Sequence, residues 1–354
     1  MHYPHNSFVS VAQRLIVDAD LRFKLGDCSK TLPRDYRQRL NAYCKPFFGK
    51  MLVKDVSYSK LREFNSYLAD RKISSSTIRT ILSFASKVLD QAAKEELITR
   101  IPPMPRPKQI DCPRPSLSDQ QYKHLLSILK DIENGKPKVE FKGHVVDKEL
   151  RHIVTFMVNC FLRPSDLFVL RHGHIDIVDE GPTGRQFLSL DWPSSKGHSA
   201  PTVSLKQAVA IYRNILSRRL ASGFGRPSDY VFLPDVPNRE YAKEIVRRQF
   251  AKVLDEAGLR VTIENEARSL YSLRHYAITD RIVNADGLDT VTLAKNCRTS
   301  VEMIDRFYAS RYQPAQNVDI IQSDRRQKRG TIAGVPSYAF STGVPTFFWP
   351  PKRV

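Results

Sequence analysis

Apolar residues recur every three to four positions through most of this chain and alternate only in one short region. Residues 1–30 carry one short helical pattern, Val9, Val11, Leu15 and Ile16. From residue 33 the period strengthens. PRDYRQRLNAYCKPFFGKM puts Tyr36, Leu40 and Tyr43 on one face and predicts a helix closed by Pro46 and Gly49. SYSKLREFNSYLADR opens on a serine cap and aligns Leu61, Phe64, Tyr67 and Leu68. SSSTIRTILSFASKVLDQAAKEEL has the clearest period, with Ile78, Ile81, Leu82, Ala85, Val88, Leu89 and Ala92 at i, i+3 and i+4 spacing behind Ser/Thr caps. These segments predict a small all-helical domain whose exposed faces carry Lys and Arg.

The period then stops. Six prolines in residues 102–115 can neither continue a helix nor pair inside a sheet, so an extended linker is expected there. Beyond it, Ser118 caps a helix that turns Tyr122, Leu125 and Leu126 inward, and RHIVTFMVNCFL predicts a strongly apolar helix reaching Arg163, after which Pro164 restarts the chain. GRQFLSLDWPSSKGHSAPTVSL alternates through Phe187, Leu188 and Leu190, turns at Ser-Ser-Lys-Gly-His, and resumes at Val203 and Leu205, which predicts short strands around a turn. QAVAIYRNILSRRL and REYAKEIVRRQFAKVLDEAG return to the helical period. The last residues hold the basic run RRQKR and then GVPSYAFSTGVPTFFWPPKRV, a Gly/Pro/Ser-rich segment with embedded aromatics that predicts a flexible or partner-docking tail. The expected architecture is mainly α with a small antiparallel β-sheet (α+β). Its parts are an extension at 1–30, a helical domain at 31–105, a Pro-rich linker at 106–116, a second domain at 117–315 and a tail at 316–354.

Composition narrows the functional classes. No apolar run reaches the ~18 residues of a membrane span, and the N-terminus lacks the apolar core of a secretory leader, so neither membrane insertion nor export is expected. The five cysteines, Cys28, Cys44, Cys112, Cys160 and Cys297, are scattered without a CxxC pair, which fits a reducing, cytoplasmic setting and no zinc site. Charge changes the picture most. Lys plus Arg number 56 against 37 Asp plus Glu, a net charge of +19, and the excess is spread along the chain rather than confined to a tail. A polyanion is the natural partner, nucleic acid first.

Four pieces of the second domain hold candidate chemistry. In FLRPSDLFVLRHGHID, Arg163 follows an apolar helix, where an arginine is expensive to bury without an anion; Asp166 either orients it for one or simply pairs with it. In SSKGHSA, Lys196 sits at a turn, either solvated or free to reach a phosphate and protonate a leaving oxygen. In SLYSLRHYAITDRI, Ser269 caps a helix whose first turns crowd Tyr271, Arg274 and His275, either an ordinary basic helix start or an anion site. In LAKNCRTSVEMIDRFYAS, Thr299 or Ser300 caps a helix with Val301, Ile304 and Phe307 on its stripe and Tyr308 at the stripe's edge.

In order and separation these four pieces resemble the tyrosine recombinase (phage integrase) family. That family carries an arginine, a lysine, a His/Lys/Tyr-x-x-Arg helix, a His or Trp, and the nucleophilic tyrosine nine residues later. FLRPSDLFVLRHGHID is similar to the first-arginine box, giving Arg163 and Asp166. SSKGHSAPTVSL is similar to the lysine turn, giving Lys196, and YSLRHYAIT to the second-arginine box, giving Tyr271, Arg274 and the adjacent His275. TSVEMIDRFYAS resembles the closing helix, giving Tyr308 as nucleophile. Two positions depart from the pattern. Tyr271 stands where most members have His, and Thr299, nine before Tyr308, replaces the usual His or Trp, a gap that Cys297, Arg298 or His275 could fill.

The resemblance covers roughly residues 30–315. It implies a helical core-binding domain joined to an integrase-type catalytic domain, and cleavage and rejoining of double-stranded DNA through a 3′-phosphotyrosyl intermediate without metal or cofactor. It also implies a homotetramer on two DNA duplexes. In members of the family the segment after the nucleophile helix often docks on a neighbouring protomer, and each protomer holds DNA between its two domains. A related topoisomerase, which relaxes DNA without pairing sites, shares the chemistry. An inactive DNA-binding relative is the other alternative, one that the Thr299 departure makes conceivable. With no full domain before residue 30, a separate arm-site reader is not expected.

Overall fold

Side-chain caps set where most of the helices start. Ser7, Ser57 and Ser74 each accept a hydrogen bond from the amide three residues on, and Ser118 forms a reciprocal capping box with Gln121. The computed structural model describes residues 3–108, 115–135, 137–181, 184–193, 200–285, 288–308 and 322. The chain divides into two units, Met1–Cys112 and Pro113–Val354.

The first unit is helical: α1 (Phe8–Lys24), α2 (Thr31–Arg39), α3 (Lys45–Phe48), α4 (Tyr58–Asp70) and α5 (Ser75–Lys94). Its longest helix, α5, buries Ile78, Ile81, Leu82, Phe84, Val88 and Leu89, a gross hydrophobic gain on the order of 10 kcal/mol. Phe8, Phe47, Phe48 and Phe64 interlock beneath it, with Phe8 and Phe48 stacked at 4.1 Å.

Two expectations change in this unit. Residues 1–30 are not a bare extension. α1 runs for 17 residues and buries Phe8, Val9, Val11, Ala12, Ile16 and Ala19, most of them in the same core. Its apolar stripe is blurred in sequence because Val17, Leu21 and Phe23 lie exposed on other faces. The second change is at Pro46, which does not close its helix. The chain widens into a π-helical segment, Leu40–Cys44, and Pro46 enters the first turn of α3. The carbonyl of Ala42, which a proline four residues on cannot bond, accepts instead from the Arg71 guanidinium at 3.1 Å. The helix ends only at Gly49, whose φ of 50° suits glycine.

The second unit is built on α7 (Lys148–Asn159), which buries Leu150, Ile153, Val154, Phe156, Met157 and Val158. Around it lie α6 (Asp119–Glu133), α8 (Gln207–Ala221), α9 (Arg239–Glu256) and α10 (Leu270–Asn284), and the chain continues through α11 (Thr290–Asn296) to α12 (Val301–Tyr308). A short hairpin, β1 (Glu140–Phe141) and β2 (His144–Val145), precedes α7. An antiparallel sheet follows it in the order β3-β4-β5: β3 (Ile175–Asp179), β4 (Gln186–Leu190) and β5 (Thr202–Val203). Ile175 pairs with Leu190 and Leu190 with Thr202, which turns Leu188 and Leu190 into the core. The mainly α architecture with small antiparallel sheets matches the expectation. The first hairpin was not anticipated, because two-residue strands carry no alternation to detect.

Candidate active site

Two helices end in the same way, and the candidate residues gather where they end. α7 stops at Asn159, not at Arg163. Cys160 still bonds back to Phe156 at 2.9 Å, Phe161 turns left-handed at φ 55°, and the Leu162 amide donates to Met157 O at 3.2 Å. α11 repeats this. Cys297 follows Asn296, Arg298 is left-handed at φ 48°, and the Thr299 amide donates to Ala294 O at 2.9 Å. Both are the 6→1 turn that usually carries glycine at its left-handed position. A side chain there costs about 1–2 kcal/mol, so tertiary contacts must hold it. Phe161 and Arg298 are both buried.

The two candidate arginines bind these helix ends. Ser269 caps α10, and from its second turn Arg274 sends a buried guanidinium to the carbonyls of Phe161 and Cys297, one from each helix end. Arg163, half-buried, donates to the carbonyl of Arg298. Guanidiniums suit the partial negative charge of helix C-termini. Burial pulls the Arg163 pKa below its ordinary value and the neighbouring Arg274 adds to this, while Asp166 and Tyr271 oppose both. Two cations this close in a partly dry site favour a bound anion.

Asp166 acts on the backbone. Its carboxylate accepts the Arg163 amide at 3.0 Å and so fixes where the arginine leaves the chain, adding charge compensation but no direct fork to the guanidinium. Tyr271, half-buried in the first turn of α10, favours the charged form of Arg163, and its ring packs 5.1 Å from that of the buried His275. Arg163, Asp166, Tyr271, Arg274 and His275 therefore converge.

Lys196 and the side chain of Tyr308 lie outside the described residues. What flanks them is described. β5 is tied to α11 because Asn296 mimics a strand partner: its side chain accepts from the Val203 amide at 2.7 Å and donates to the Val203 carbonyl at 3.0 Å. Leu205 donates to Asn159 O at 2.8 Å, which joins the strand end to the end of α7. Neither contact has a sequence signature. Ser300, not Thr299, starts α12, since its hydroxyl accepts the Met303 amide at 3.2 Å. That helix buries Ile304 and ends at Tyr308.

Thr299 is half-buried beside the cluster. Of the groups that could stand in for an imidazole there, Cys297 remains a neutral thiol, since burial pushes it up to about 11 although Arg274 and Arg163 pull it down. Arg298 is fully buried, and its planar group lies 3.7 Å from the centre of the Trp192 ring. Among the described residues no group of three or more His, Cys, Asp and Glu side chains gathers to hold a metal ion, and no helix is long and apolar enough to cross a membrane.

Comparison with known proteins fits this geometry. Residues 28–108 match the sequence model of the phage integrase SAM-like domain. No curated protein matches the chain by sequence. Among solved structures, the Tn1549 transposon integrase in complex with a circular intermediate DNA superposes with a TM-score of 0.59 at 14% identity, covering 85% of this chain and 94% of that one. The lambda integrase dimer bound to a core site gives 0.57 at 14% identity, covering 87% and 78%. The chain has the tyrosine-recombinase fold. Both units take part in it, because each match spans well over three-quarters of the chain. In the first unit of this recombinase fold, the matched segment starts after α1, so α1 is a helix that the domain model does not cover.

Proposed function

We propose that this protein is a site-specific DNA recombinase, which cleaves and rejoins strands through a covalent link between Tyr308 and a 3′-phosphate. The observation that carries the reading is the convergence of Arg163 and Arg274 on two helix ends, with Tyr271 favouring the charged form of Arg163 and α12 starting four residues after Cys297. A phosphodiester under attack spreads negative charge over its nonbridging oxygens, and two prepositioned guanidiniums stabilise that charge. The Tyr308 oxygen forms the new O–P bond and releases its proton, the P–O5′ bond breaks, and Lys196 gives a proton to the departing 5′-oxygen. The phosphotyrosyl bond keeps the energy of the broken one, so a 5′-hydroxyl from another strand reverses the step. In this reading Asp166 and His275 support the site, and Thr299 occupies the position of a further phosphate contact.

The partner is double-stranded DNA, which the net charge of +19 favours and which the two similar integrases hold in their structures. Four copies on two duplexes exchange strands in the cytoplasm or nucleoid. Residues 31–105 and 117–315 serve as core-binding and catalytic parts, and 316–354 as a docking tail. Sequencing the DNA that remains covalently attached after denaturing cells tests the reading. Enrichment of one short sequence is expected. Adducts at scattered sites, with relaxation of plasmids that lack paired sites, would make the protein a topoisomerase. The absence of any adduct would make it an inactive relative.

A further inference from the structure

Arg298 departs from what stability alone favours in two ways. It holds a left-handed backbone at φ 48° that glycine would adopt freely, and its guanidinium is buried, with 2% of the residue exposed. Its counter-charge is partial: Asp191 lies 3.6 Å away with a carboxylate that is itself 68% exposed. Among the described residues the Nε atom has no hydrogen-bond partner. The rest of the group is engaged in one specific way. One terminal nitrogen donates to Trp192 O at 2.9 Å, the other to Ala200 O at 3.3 Å, and the plane stacks on the Trp192 ring. Trp192 and Ala200 lie four residues to either side of Lys196 in the sequence. The backbone carbonyl of the same residue accepts the Arg163 guanidinium.

We propose that Arg298 is a positioning residue for strand cleavage, tying Trp192 and Ala200, which flank Lys196 in the sequence, and the Arg163 guanidinium to one buried point at the end of α11. The inference rests on the recombinase reading above. Trp192 follows β4, Ala200 precedes β5, and Arg163 follows α7; beyond the β4–β5 ladder, Arg298 is bonded to all three stretches from one residue. A planar fork can bridge two carbonyls while stacked; an ammonium cannot. The stack and the two bonds also explain why a left-handed arginine is retained in place of glycine. Loss of the tie removes one restraint on Trp192 and Ala200, which flank Lys196 in the sequence, and misplacement of a catalytic group by about 1 Å costs about 100-fold in rate.

The test uses the full chain and two substitutions, Arg298→Gly, which removes the tie and relaxes the backbone, and Arg298→Gln, which keeps a buried donor should the glycine variant fail to fold. Each is compared with wild type in single-turnover cleavage of a duplex with a normal 5′-oxygen and of one with sulfur in that bridging position. Breaking the P–S bond releases a thiolate, which needs no proton because a thiol pKa is about 8.5. The expected result is DNA affinity within about threefold of wild type, cleavage of the oxygen substrate slower by about 10- to 100-fold, and near-normal cleavage of the sulfur substrate. Wild-type rates on oxygen, or equal losses on both substrates, would overturn the proposal while leaving the recombinase reading intact. Failure of wild type to form an adduct with either substrate would reject both.

Discussion

Arg274→Ala separates the structural job of this side chain from the catalytic one proposed for it. The guanidinium satisfies two carbonyls, Phe161 O and Cys297 O, at a position only 3% exposed. Removing it leaves both acceptors buried without a donor, at about 1–3 kcal/mol each, so unfolding free energy should fall by about 2–6 kcal/mol. Arg163 is half-buried and satisfies one carbonyl, Arg298 O, so Arg163→Ala should lose only about 1–3 kcal/mol on the same basis. In catalysis the two should be alike, each slowing cleavage by about 10²–10³-fold as a lost transition-state donor does. Urea unfolding of the DNA-free variants gives the first comparison. Single-turnover cleavage at saturating DNA, at a temperature where both variants stay folded, gives the second. If Arg274→Ala were as stable as Arg163→Ala, the helix-end account of its position would be wrong. A loss of tenfold or less in cleavage would make both arginines structural.

Three further outcomes follow from charge, burial and the tail. If 6–10 phosphates are contacted, DNA affinity should fall by about 10³–10⁵ between 50 and 200 mM salt, and a flat response would exclude extended backbone contacts. His152 is held neutral at a pKa of about 4, by burial first and by Arg218 second, and the Arg218 guanidinium lies 3.3 Å from its Nδ1. Its folded pKa is thus below its ordinary 6.5, so the unfolded chain binds the extra proton and the stability is lost as pH falls from 6.5 towards 4. Urea unfolding should show wild type losing ground to His152→Gln across that window, and a pH-independent difference would contradict the assignment. Truncation after residue 316 removes Tyr338, Phe340, Phe347, Phe348 and Trp349, anchors suited to a partner groove; half-site binding should persist while recombination fails, and a large loss of half-site affinity would assign the tail to DNA.

Much of the fold was legible where period and caps agree. α5, α6, α8, α9 and α10 lie where their apolar spacing and Ser118 and Ser269 place them, because each buries one stripe, α5 in the core of the first unit and the others in that of the second. The failures have local causes. α1 shows apolar residues on more than one face, so its stripe could not be separated from its exposed positions. Pro46 reads as a stop, yet the π-turn and Arg71 absorb its missing hydrogen bond, and Arg71 comes from 29 residues away. RHIVTFMVNCFL stays apolar past Asn159, so nothing in it reveals the left-handed Phe161 that ends α7. In the candidate site, the residue types and order were readable, but not what holds them. That Asp166 bonds an amide, that Asn296 imitates a strand, and that Arg298 lies on Trp192 are tertiary facts with no period or spacing.

In the proposed reaction Tyr308 becomes covalently joined to DNA. This is tested most directly by trapping the protein on a nicked recognition duplex, digesting the adduct and sequencing the DNA-bearing peptide. The modified peptide should contain Tyr308, and Tyr308→Phe should abolish the adduct with DNA affinity nearly unchanged, since only one oxygen is removed. An adduct that survives Tyr308→Phe and disappears in Tyr312→Phe would contradict that reaction, as would wild-type protein that binds the duplex tightly and never becomes attached.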